Sequence, residues 1–179
     1  MAVTMVGKRP GDRVYPLGRT SDELGGSEYY AMHKQLGTAV PEVDASTALA
    51  RYRRLNLAYD EQLVASCHDL SDGGLGVALA ESAFAGGFGM RIDLDKVPVE
   101  GMMRDDSLLF SESASRLLVT VHPRNRDRFE ELFAADVTAC IGQVEEQSEL
   151  IIHGQQGGVI VKSALADLKE AWQATLREL

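Results

Sequence analysis

Nine consecutive residues, Cys67-His68-Asp69-Leu70-Ser71-Asp72-Gly73-Gly74-Leu75, bring together two carboxylates, an imidazole, a hydroxyl and a glycine pair. The run before them, Leu63-Val64-Ala65-Ser66, reads as a strand. After them Leu75, Ala78, Leu79, Ser82 and Ala83 recur at the three- and four-residue spacing of one helix face. A strand that feeds a helix through Asp-Gly-Gly gathers unpaired backbone N–H groups and carboxylates at one point, which suits a phosphate and its Mg²⁺. The same residues also make an ordinary tight turn in which Asp72 or Ser71 caps the helix. This motif alone leaves both readings open.

A second stretch, Leu108-Leu109-Phe110-Ser111-Glu112-Ser113-Ala114-Ser115-Arg116, is dense in side-chain oxygens and leads into the strand Leu117-Leu118-Val119-Thr120-Val121. Taken alone it reads as a polar turn whose serines satisfy the backbone. Other titratable residues suggest less. His68 has the chemistry of an acid or base, but a strand-end histidine bonded to Asp69 or to backbone is the better reading. His33, His122 and His153 are isolated, and Asp105 with Asp106 reads as a helix cap rather than a metal pair. Glu23 and Glu28 flank Gly25-Gly26-Ser27, where a capped turn is preferred to a second anion loop. Cys67 and Cys140 match no metal or disulfide spacing and are expected to be reduced and structural.

The elements that must position these residues follow from periodicity and punctuation. A short strand, Arg13 to Gly18, contains Pro16, the mark of an edge or a strand end. A helix runs from Glu28 to Leu36 behind a Ser27 cap, and a longer one from Asp44 to Asp60. Then come strand 64–69, helix 74–85 stopped by Gly86-Gly87, strand 88–94, a short helical segment at 105–110, strand 115–121, helix 124–134 and strand 138–144. A hairpin joins 149–153 to 158–161. The last helix, 163–178, carries Leu165, Leu168, Trp172, Thr175, Leu176 and Leu179 on one face. The alternation argues for an α+β or α/β fold, a mixed sheet packed with helices. One strand and one helix in residues 1–40 cannot bury their own faces, so they read as the end of a preceding domain, with the main domain at 41–179. An orphan strand of this kind would expose an edge and favour a homodimer.

Composition narrows the function. The chain has 179 residues, room for one full core or one domain plus part of another, and 45% of them are apolar, as in soluble globular proteins. No apolar run approaches the roughly 18 residues of a membrane span, and the first residues turn polar too quickly for a signal peptide. The cytoplasm is the default expectation. A net charge of −9 argues against a nucleic-acid partner, since such binders usually carry a basic face. The basic clusters Arg51-Tyr52-Arg53-Arg54 and Arg124 to Arg128 are expected to be solvated helix faces.

Taken together, His68 to Leu75, Phe110 to Arg116 and the strand and helix that follow resemble one family, the synthetase subunit of phosphoribosylformylglycinamidine synthase in its C-terminal region. Ala2-Val3-Thr4-Met5, the turn Lys8-Arg9-Pro10-Gly11-Asp12 and Leu24-Gly25-Gly26-Ser27-Glu28-Tyr29-Tyr30 resemble the segment just ahead of that region, so the resemblance covers essentially the whole chain. It implies an AIR synthase-related C-terminal domain at 41–179 behind the end of an AIR synthase-like N-terminal domain. It also implies a piece of a longer synthetase that converts formylglycinamide ribonucleotide to formylglycinamidine ribonucleotide in purine biosynthesis, inactive alone. Its partners would be the remainder of that subunit and a glutaminase. The family's catalytic histidine lies in parts absent here, so no catalytic residue is assigned. ATP or ADP with Mg²⁺ is the expected cofactor. Asp69 and Asp72 would hold the metal, Ser71, Asp72, Gly73 and Gly74 the phosphates, and Ser111, Glu112 and Ser113 a polar wall.

Two features of the resemblance point to an auxiliary rather than a working site. The family's halves are pseudo-symmetric and the first half serves the chemistry, and Ala114 stands where that half's motif usually has glutamine. A noncatalytic nucleotide-binding or scaffold module is therefore the alternative. Other enzymes of the wider superfamily, such as aminoimidazole ribonucleotide synthase, fit less well, because the motifs beginning at Phe110 and Leu24 argue against them.

Overall fold

A computed structural model describes residues 3–99 and 101–177, with side chains through 174. Ala2 and the side chains of Thr175, Leu176 and Leu179 lie outside the described residues. In chain order the elements are β1 (Arg13–Leu17), α1 (Glu28–Met32), α2 (Ala45–Asp60), β2 (Val64–Asp69), α3 (Gly74–Gly86), β3 (Gly89–Asp93), α4 (Asp105–Phe110), β4 (Leu117–Val121), α5 (Arg126–Leu132), β5 (Gly142–Glu145), β6 (Glu149–His153), β7 (Val159–Ala164) and α6 (Leu165–Arg177). The strands form one mixed sheet in the order β2-β4-β1-β5-β3-β6-β7. Its ladders are antiparallel except β3 with β6, where Met90 faces Leu150.

β1, from the expected remnant 1–40, shares one sheet with strands from beyond residue 40. Val14, Tyr15, Pro16 and Leu17 are all buried, the mark of a strand covered on both faces. β1 lies inside the sheet, with Arg13 opposite Val121 of β4 on one side and Gln143 of β5 on the other. It is neither an orphan nor an edge, which removes the argument for a homodimer drawn from it.

Pro16 survives in this central strand because of where its missing N–H points. Ile141 donates to the Val14 carbonyl and Gly18 donates to that of Val137, so the even-numbered residues of β1 turn their backbone toward residues 137–141. Opposite Pro16 that segment finds no donor, and Thr138 instead gives its hydroxyl to the Pro16 carbonyl at 2.8 Å. The predicted strand 138–144 accordingly becomes regular only at Gly142.

Both faces of the sheet carry helices. On one, Leu75, Ala78, Leu79 and Ala83 of α3, Leu108 and Leu109 of α4 and Leu165 of α6 pack on Val14, Leu118, Met90, Ile92 and Leu150. On the other, Leu55 and Ala58 of α2 and Phe129 of α5 cover Tyr15, Leu17, Val119 and Val121. Along β1 and β4 side chains alternate between the two cores, Val14 and Leu118 on one side and Tyr15 and Val119 on the other, as a pleated strand requires.

Arg51 departs from the expected solvated face. It is buried in α2 and forms a two-pronged pair with Asp136, Nε to Oδ2 and Nη2 to Oδ1 both at 2.9 Å, while Nη1 donates to the Ser115 carbonyl at 2.7 Å. The second basic cluster is exposed as expected, with Arg126 on Glu130 and Arg128 on Glu61 and Glu131. Helix α1 stops at Met32, short of Leu36, because Lys34 takes a left-handed φ of 56° and turns the chain back. Among the described residues no helix is long and apolar enough to cross a membrane.

Candidate functional site

The glycine pair permits the contact on which the site is built. Gly73 and Gly74 have φ of 74° and 59°, and a Cβ on Gly74 would collide with the carbonyl oxygen of Ser111. Glycine there lets the start of α3 touch the second motif backbone to backbone. Glu112 exploits that approach. Its Oε1 accepts from the Gly73 N–H at 2.8 Å and from the Glu28 N–H at 3.2 Å. The Gly74 N–H goes to the Ser71 carbonyl at 2.9 Å.

The two N–H groups expected to meet a phosphate are thus both occupied within the chain. The capped-turn alternative is also not realised in its expected form, since neither Ser71 nor Asp72 caps α3. A carboxylate from 39 residues away does so instead, and it complements the positive end of the helix.

Ser111 and Ser113 are also engaged within the chain. They are 0% and 3% exposed, and Ser113 borders a polar cavity beside Ala114. The Ser111 hydroxyl donates to the Ser21 carbonyl at 2.5 Å and accepts from the Glu23 N–H at 3.2 Å, while the Ser113 hydroxyl accepts from the Ser21 N–H at 3.0 Å. They fasten the loop between β1 and α1. Arg116, 2% exposed, completes the clasp by donating to the carbonyls of Ser113 and Ser111 and to the Thr20 hydroxyl. Burial lowers its guanidinium to about 10, with Glu23 and Glu112 pulling the other way, so it is charged at neutral pH. Ser27 caps α1 by accepting from the Tyr30 N–H at 3.2 Å, as expected.

Asp69, Ser71 and Asp72 are exposed beside this clasp. Burial works to raise the Asp69 carboxyl, but hydrogen bonds from its own N–H, His68 and Ser71 outweigh it and hold the carboxyl below its ordinary value. His68 lies between two carboxylates, Nδ1 at 3.1 Å from Asp69 Oδ1 and Nε2 at 2.8 Å from Glu81 Oε2. That bridging position fits an anchor better than a catalytic base. Glu81 is the partner that sequence reasoning missed. It also accepts from Trp172 Nε1 at 2.8 Å, tying α6 to α3. Its signal was being the one charged residue in an otherwise apolar helix.

Among the described residues no three His, Cys, Asp or Glu side chains converge as metal ligands. Two exposed carboxylates at a strand end still suit Mg²⁺, which keeps most of its waters and takes one or two carboxylates beside substrate phosphates. Beyond the serine motif, Ala114 lines a polar cavity of about 450 Å³ with Arg19, Glu23, Asp44 and Ser115. Burial raises the Cys67 thiol above its ordinary range, in keeping with an unreactive core position.

The fold and its motifs have relatives. A curated protein, phosphoribosylformylglycinamidine synthase subunit PurL of Alkaliphilus metalliredigens, is 35% identical over 180 residues, covering 97% of this chain and 23% of its own length. Among solved structures, Thermotoga maritima PurL complexed with ATP matches with a TM-score of 0.76 at 24% identity, over 94% of this chain and 27% of that one. The same protein complexed with FGAR matches with a TM-score of 0.80 at 21% identity, over 93% and 29%. The chain therefore spans about a quarter of the length of these relatives. The family model described as AIR synthase related protein, C-terminal domain, matches residues 9–155 and begins ahead of β1, in agreement with the place of that strand in the sheet. With most of its length inside that match, the chain belongs to the AIR synthase related C-terminal domain family.

Proposed function

We propose that this chain is the C-terminal part of an ATP-dependent synthetase that converts formylglycinamide ribonucleotide to formylglycinamidine ribonucleotide, and that its glycine turn forms one wall of a nucleotide site. The observation that carries this reading is the convergence of three motifs, from Asp69, Leu24 and Ser111 onward, on the Glu112 carboxylate. Relatives support it: Thermotoga maritima PurL is known with ATP, ADP and FGAR, and in a PurLQS assembly. In that reaction ATP activates the amide oxygen, and ammonia from a glutaminase partner displaces phosphate.

Asp69 and Asp72 are the residues placed to hold Mg²⁺ through its waters, with Ser71 between them. The ion, when bound, offsets charge on the phosphates. Asp69 suits this role because its carboxyl is held low and stays ionised well below neutral pH. Glu112, Ser111, Ser113 and Arg116 form the polar wall behind the turn. They fix the turn that Asp69 and Asp72 flank.

A second reading, a noncatalytic nucleotide-binding or scaffold module that supports the rest of the enzyme and the docking of its glutaminase, is favoured by one observation. The Gly73 and Gly74 N–H groups are already satisfied by Glu112 and Ser71. Calorimetric titration with Mg-ADP and Mg-ATP, with Asp72→Ala as control, tests the nucleotide site, and Asp69 or Glu112 variants of the intact enzyme separate the two readings by whether chemistry slows or only stability falls. Binding that Asp72→Ala weakens by about tenfold supports a working site at the turn. Absence of heat means that a nucleotide site needs the rest of the enzyme, leaving this chain as a structural part of it.

A further inference from the structure

Asp12 closes the turn into β1. It is 1% exposed, and neither carboxylate oxygen has a well-formed hydrogen bond among the described residues, although the Arg9 N–H and the charges of His122 and Arg9 draw on it. A buried acceptor left without a donor is costly and rare, and calls for an explanation. Asp12 lines a cavity of about 470 Å³ where β1 and β2 begin and β4 ends. The glycine turn lies at the opposite end of the same strands, a strand length of roughly 17 Å away.

Three cations also line the cavity, Lys8, Arg9 and Arg124, with His122 among them. Lys8 is tethered to the Thr4 hydroxyl. Arg9 and Arg124 are exposed, and neither joins an ion pair among the described residues. The buried floor thus lacks a full donor, and the rim carries more positive charge than the one carboxylate of Asp12 offsets. The volume falls in the range of small-molecule sites. A single α-amino acid would use one cation and leave the others idle, whereas a phosphate, with close to two charges and several acceptor oxygens, uses all three. A sugar hydroxyl donating to a carboxylate is the recurrent partner of such a phosphate.

We propose that this cavity binds a small phosphorylated sugar, its phosphate on Lys8, Arg9 and Arg124 and a hydroxyl donating to the buried Asp12. The chain is titrated calorimetrically with ribose 5-phosphate, and separately with ribose and with inorganic phosphate. Ribose 5-phosphate is expected to bind saturably and more tightly than either half. Arg9→Ala with Arg124→Ala, two exposed positions that spare the core, is expected to weaken it at least about tenfold. Asp72→Ala is expected to leave it unchanged, since the glycine turn is a separate place. No saturable heat at millimolar ribose 5-phosphate, or binding that ignores the two arginines, overturns the proposal. Inorganic phosphate binding as tightly as the sugar phosphate overturns the role given to Asp12.

Discussion

The carboxylate of Glu112 stands 2.8 Å from the backbone N–H of Gly73, the position an anion would take at the start of α3. Gly73 has no side chain with which to cap its own helix, and a left-handed residue there keeps the turn tight enough for Ser111 to approach Gly74. The negative charge arrives from the second motif and also partly offsets the buried Arg116. One side chain therefore joins the helix start, the loop before α1 and the serine turn.

Removing it leaves the Gly73 N–H without its partner and Arg116 with less compensation. Glu112→Ala is expected to cost about 2 kcal/mol, the range for hydrogen bonds to a charged group. Glu112→Gln, which keeps an acceptor oxygen, is expected to lose less than half of that. Urea unfolding of both variants checks the order. Equal losses would mean that charge, not the hydrogen bond, holds the turn.

Arg51 and Asp136 form the pair that clamps α2 to the segment after α5. Their side chains are 5% and 3% exposed. Breaking a buried pair strands a charge in low dielectric, so Arg51→Met and Asp136→Asn are each expected to cost about 3 kcal/mol. The double variant should lose clearly less than the sum, because neither charge is left alone. Additive losses in denaturant titrations would show that the two side chains act independently.

Much of this architecture could be read from the sequence because local pattern and environment agree. β2 and α4 fall where periodicity put them, at Val64–Asp69 and Asp105–Phe110, and Ser27 caps its helix as expected. What failed depended on long-range pairing. Nothing local says that Val14 and Tyr15 face two different cores, so β1 looked like an orphan strand when it is an interior strand of the sheet. Arg51 looked solvated because its partner lies 85 residues away. Ser111 and Ser113 carry the oxygens of a binding wall, yet those oxygens are used by Ser21 and Glu23, some 90 residues earlier in the chain. The sequence motifs show which polar groups are present, and the tertiary contacts show which of them are already engaged within the chain.

Gly74 tests whether the close approach of the two motifs is required. Its φ of 59° is in the region that L side chains rarely adopt, and the atom a Cβ would strike is a backbone oxygen with little freedom to move. Gly74→Ala is expected to destabilise the chain by about 2 to 4 kcal/mol. Gly87→Ala is the control: its φ of 75° is similar but nothing lies within 4 Å of a Cβ, so only the backbone part of the loss should appear. Matching losses at both glycines, measured by thermal melts, would show that conformation alone matters at position 74.

Asp12 gives the stability of the fold a dependence on pH. Burial raises its carboxyl, against the opposing pull of His122 and Arg9. The folded chain therefore holds this proton more tightly than the unfolded chain, whose carboxyl titrates near its ordinary value of about 3.9. Below that pH both states are protonated and the burial carries no electrostatic cost. As pH rises through it, the unfolded chain ionises first and the contribution to stability falls, until the folded carboxyl has ionised too. Asp12→Asn removes this titration. The variant is expected to melt a few degrees above the parent at neutral pH, with the gap closing as the pH approaches about 4. Such a gain would also mark Asp12 as a residue kept at a cost to stability, as binding groups often are. A melting difference that is the same at both pH values would show that Asp12 ionises in the folded chain as easily as in the unfolded one.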